Sequence, residues 1–175
     1  MNALARVLEP AGEAVSLSVA ALPCDANVNA LTGLSTDYLN HFNEAIMLLD
    51  MIPVMPDAAT ELAAWRPLTY REHFEKSHLR HRALIIAAYE AAEPLQQQMF
   101  ERLCRGMRST VLAARDILTR DLEDADLAQV ATDAAARLKA LVGQASTVIH
   151  GFAEAANGPA TIDESQDAID AILRR

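Results

Sequence analysis

Glycine and aromatic residues are both in short supply in this chain. Six glycines, four Phe, three Tyr and one Trp serve 175 residues. Sheet-rich folds lean on aromatic side chains and on glycine turns, so this scarcity argues against them. Cysteine is rarer still: Cys24 and Cys104 stand apart, with no CxxC pair and no even framework. No disulfide scaffold can be built from them, and a reduced, cytoplasmic setting is the simpler reading. Positive charge is the minority sign, with 15 Lys and Arg against 24 Asp and Glu and a net charge of −9. Neither nucleic acid nor an anionic membrane is therefore expected as a partner. No uncharged apolar run reaches the length of a membrane span. Glu9, Pro10 and Glu13 interrupt residues 1–22, which do not read as a signal peptide. There is also no Gly-rich phosphate loop and no nucleophile elbow, so no catalytic residue and no cofactor are assigned.

What the chain has is alanine and the other strong helix formers. Residues 1–33 show no sustained period and read as a flexible N-terminal arm. From Ser35 the pattern turns helical. Leu39, Phe42, Ile46 and Leu49 recur at three- and four-residue steps, widened by Tyr38, Ala45 and Ile52, until Pro53. A short helix follows Pro56-Asp57 and stops before Pro67. Thr69-x-x-Glu72 is a capping box that opens a helix expected to run to about Glu93, with Tyr70, Phe74, Leu84, Ile85, Ala88 and Ala92 inward. Pro94 suits the first turn of the next helix, to about Leu122. The last long helix is expected from Asp124 or Asp126 to Ala156, where Asn157-Gly158-Pro159 stops it. The pattern predicts an all-α fold, an antiparallel bundle of about four long helices plus short ones over residues 34–157. Its Ala-rich faces are compatible with homodimerisation.

The histidines crowd one stretch: His73, His78 and His81. On an unbroken helix His78 and His81 share the inner face with Phe74 and Ile85. Glu75-x-x-His78 has the one-turn spacing by which carboxylate and imidazole reach a common metal. Glu75, His78 and His81 are thus the candidate ligands of an alternative, metal-binding reading. His150-x-x-x-Glu154 has a similar spacing, and Asp37, His41 and Glu44 cluster on the side away from the first helix's apolar stripe. Asn40, Asn43 and Glu44 combine acid and amide groups on that same surface. The stretch His73-Phe-Glu-Lys76-Ser77 resembles histidine phosphotransfer domains, with His73 as the implied phosphoacceptor, Lys76 as its charge partner and Ser77 as a small neighbour. His78 and Leu79 depart from the small residues that family has next. Arg102, Arg105, Arg108 and Arg115 form a basic ridge, either a solvated face or a docking strip for an acidic partner.

The most specific feature is the C-terminal segment 158–175. Gly158-Pro159 sets it apart, and Thr161-x-x-Glu164 is a second capping box. Ile162, Ile169, Ile172 and Leu173 fall on one side of the helix it predicts, and Asp163, Glu164, Asp167 and Asp170 mark the other. Such a short acidic amphipathic helix suits docking into a groove. Ser165-Gln-Asp-Ala-Ile-Asp-Ala-Ile-Leu173 resembles the CheY-binding peptides of the chemotaxis proteins CheZ and FliM. The resemblance implies that Ser165 and Gln166 start the bound helix. It implies that Ile169, Ile172 and Leu173 anchor it, while Asp167 and Asp170 meet basic groups on a CheY-like receiver domain. It covers nine residues, and the body of the chain does not match CheZ, whose catalytic run has no equivalent here. The expected function is a non-enzymatic adaptor or regulator in bacterial chemotaxis or two-component signalling.

Overall fold

The structure, a computed structural model, describes residues 27–120 and 123–151. Among these the fold is all-α, with six helices, one 3-10 turn and an isolated bridge between Val28 and Ser35. No described helix is long and apolar enough to cross a membrane.

A 3-10 turn, Thr36–Tyr38, leads into α1, Leu39–Met51. The Ser35 hydroxyl accepts from the Asp37 amide at 3.2 Å and so serves an otherwise orphaned donor at the start. The expected stripe of Tyr38, Leu39, Phe42, Ala45, Ile46, Leu49 and Ile52 is buried throughout. After Pro53 comes α2, Ala58–Ala64, and then an extended linker through Pro67. The capping box at Thr69 forms as its spacing predicts. The Thr69 hydroxyl accepts from the Glu72 amide, and the Glu72 carboxylate accepts from the Thr69 amide at 2.8 Å.

The helix expected over 69–93 is two helices, α3, Tyr70–Lys76, and α4, Arg82–Glu90. Ser77 takes an extended backbone and its hydroxyl donates to the Phe74 carbonyl at 2.8 Å, closing α3 from the side. Phe74 and Ile85 lie eleven residues apart, about three helical turns, so the apolar period carries on unchanged across the break. Periodicity alone is blind to such an interruption.

The two longest helices are α5, Pro94–Leu118, and α6, Asp124–Ile149. Pro94 stands at the start of α5, and the Glu93 carboxylate accepts from the Leu95 and Gln96 amides. The pair runs side by side in opposite directions. Gln96 donates to the Val148 carbonyl, and Gly106 faces the Leu141 side chain. Ala131, Ala135 and Ala145 on α6 are buried, and their small side chains permit close approach. Phe100 and Cys104 complete the α5 side of the core. Helix α6 ends at Ile149, earlier than Ala156, because Gly151 turns the chain at φ +85.

The expected flexible arm 1–33 needs correction over its last part. Residues 27–33 form a packed loop. The Asn29 side chain accepts from the Leu31 and Thr32 amides, and the Thr32 hydroxyl donates to the Ile149 carbonyl at 2.6 Å. Gly33 sits at φ +70, and a Cβ there would lie 2.7 Å from the Ala88 carbonyl oxygen, so only glycine fits. Residues 1–26 lie outside the described residues.

Candidate functional site

The most chemically varied surface lies where α1 meets the linker 65–69 and α3. A shallow groove of about 350 Å³ is lined by Asn40, His41, Glu44, Leu68, His73, Lys76 and Ser77. It unites two candidate stretches that are separate in sequence: Asn40 and Glu44 of α1, and His73 and Lys76 of α3 with Ser77 just after it.

Pro67 shapes the linker that brings Leu68 to the groove. Proline ends α2 and forces an extended linker, whose backbone groups then need partners outside regular structure. The Tyr38 and His41 side chains serve the Leu68 backbone, and the linker's own Trp65 side chain reaches back to α1. Trp65 Nε1 donates to the His41 carbonyl at 3.2 Å, and the Leu68 amide donates to His41 Nε2 at 3.2 Å. Tyr38 Oη donates to the Leu68 carbonyl at 2.7 Å. The His41 ring stacks on Trp65 with centroids 4.5 Å apart. His41 is thereby buried as a neutral acceptor, a correction to its placement on the side away from the core. Burial pushes its pKa down to about 4, helped by His73, Arg108 and Lys76.

His73 lies against Tyr38 and Phe74, with ring centroids 5.5 Å and 5.0 Å away, and 6.1 Å from His41. It is half-buried, and burial lowers its pKa against the opposing pull of Asp37. A phosphoacceptor must stand clear for a docking domain, whereas this ring is packed among aromatics. Behind the groove runs a second polar chain. Arg108 Nη1 donates to Tyr38 Oη at 3.3 Å and its other nitrogen lies 3.6 Å from the Glu101 carboxylate. Tyr89 Oη donates to Glu101 at 2.7 Å. Burial raises the pKa of Tyr38 and of Tyr89, so both stay protonated donors. Among the described residues no buried side-chain polar atom lacks a partner.

The alternative metal ligands are not brought together. The break in the helix puts His78 in an exposed irregular stretch and His81 at the start of α4. Glu75 instead pairs with Arg71 at 3.3 Å, and Arg71 also reaches Glu90. Among the described residues no group of three His, Cys, Asp or Glu could hold a metal ion. His150 is exposed at the end of α6, and Glu154 lies outside the described residues.

The partner-binding set, Ser165, Gln166, Asp167, Ile169, Asp170, Ile172 and Leu173, also lies outside the described residues. Sequence reading missed the role of Tyr38, Trp65 and Leu68. The signal was there in Pro67, which obliges a linker with unpaired backbone groups, and in the Trp two residues before it. No family model, no curated protein and no solved structure matches this chain.

Proposed function

We propose that this protein is a non-enzymatic helical adaptor that binds a CheY-like receiver domain through Ser165–Leu173. In this reading its helices form an up-and-down bundle that presents the C-terminal helix in the cytoplasm. The observation that carries it is the sequence Ser165-Gln-Asp-Ala-Ile-Asp-Ala-Ile-Leu173, with apolar anchors on one side and acids on the other. The groove supports a binding rather than a catalytic reading, because its two imidazoles are engaged in packing and in holding the linker.

Titration of the full chain with a CheY-like receiver tests it, read by calorimetry. Ile169→Ala with Leu173→Ala removes two apolar anchors, each worth about 1–3 kcal/mol at a docked interface, so affinity should fall at least about thirtyfold. The thermal melt of the body should not change. Equal affinity in the double variant rejects the assignment.

A further inference from the structure

We propose that the outer face of α5 is a docking surface for the chain's own C-terminal segment, residues 161–173. This goes beyond receiver binding and does not depend on it. Leu95, Arg102 and Arg105 stand seven and three residues apart, so they share one stripe of α5. All three are exposed, Leu95 by 62%. The ion pairs between described residues use Arg71, Arg108, Arg115 and Lys139 and leave Arg102 and Arg105 out. Two such cations beside an exposed leucine, on a chain of net charge −9, fit an acidic amphipathic partner.

The chain supplies that partner at the right place. Gln96, next to Leu95, donates to the Val148 carbonyl, so the end of α6 abuts the start of α5. Residues 152–160 connect Gly151 to Thr161 and can span up to about 30 Å, while Leu95 to Arg105 covers about 15 Å of helix. Asp163, Glu164, Asp167 and Asp170 match the two guanidiniums, and Ile169, Ile172 and Leu173 match Leu95. Exposed ion pairs contribute little each, but a tether holds the segment at millimolar effective concentration. The contact is therefore a weak, salt-sensitive latch. It uses the same apolar residues that would anchor a receiver, so docking here withholds them.

Amide hydrogen exchange of residues 161–173 in the full chain at low salt is the test. Protection of about tenfold over an unstructured peptide is expected. Arg102→Glu with Arg105→Glu should abolish it, Asp167→Lys with Asp170→Lys should abolish it, and combining the two pairs should restore it. Circular dichroism checks the α5 variant, and if that variant unfolds the tail pair decides alone. Three results overturn the proposal: exchange at the unstructured rate in the unaltered chain, protection that neither pair of substitutions alters, or protection that rises with protein concentration.

Discussion

His41 shows how a single residue can tie two parts of this chain together. Its carbonyl receives the Trp65 indole, its ring nitrogen receives the Leu68 amide, and its ring face packs on Trp65. An imidazolium cannot accept from an amide, so protonation and the folded linker oppose each other. The folded pKa, about 4, lies below the ordinary value of 6.5. The stabilisation is therefore complete above pH 6.5 and is lost as pH falls through 6.5 toward 4. Between pH 7 and pH 5 the loss should be about 2 kcal/mol. His73 shifts in the same direction and adds to it. Urea unfolding at pH 7, 6 and 5 measures the slope, and His41→Gln should flatten it. A variant with the parent's slope would show that the acid sensitivity arises elsewhere.

At the scale of elements, the ends are set by side chains more than by propensity. The capping box of α3 and the proline of α5 were legible, because each is a local pattern with a fixed offset, whereas the capping carboxylate of Glu93 emerged only in the structure. The stop after Lys76 was not legible, because Ser77 acts through a hydrogen bond to Phe74 while the apolar period stays in phase. Helix α6 offers a direct check on continuity. Gly143 lies in its interior, and a Cβ there meets nothing within 4 Å. Gly143→Ala should stabilise the protein by about 0.5–1 kcal/mol, since alanine loses less backbone entropy on folding. Thermal melts measure it, and a destabilised variant would mean that this face of α6 is covered.

Across the whole molecule, the core is a ring of aromatics from α1, α3 and α5 joined to an alanine-lined seam between α5 and α6. Cys104 sits fully buried in it, and burial pushes its thiol pKa well up. The thiolate is the reactive species, so burial and protonation both suppress its chemistry. In a Cys24→Ser variant, alkylation of Cys104 should be at least on the order of a thousandfold slower than in denaturant and should track global unfolding. Reaction at the denatured rate would mean that the seam opens locally.

The sequence by itself determined the helical class, the inner stripe of α1, the starts of α3 and α5, and the amphipathic acidic pattern of residues 161–173. Each is a local matter of period, cap or composition, readable within a few turns. Only the tertiary structure decided that His41 turns inward, that His73 and His41 meet in one groove, and that Glu75, His78 and His81 do not converge. Those outcomes depend on which backbone groups the Pro67 linker leaves to be satisfied and on where Ser77 breaks the chain. The first is settled by partners distant in sequence, Tyr38 and His41, and the second by a Ser77–Phe74 hydrogen bond that leaves the apolar period in phase, so periodicity encodes neither.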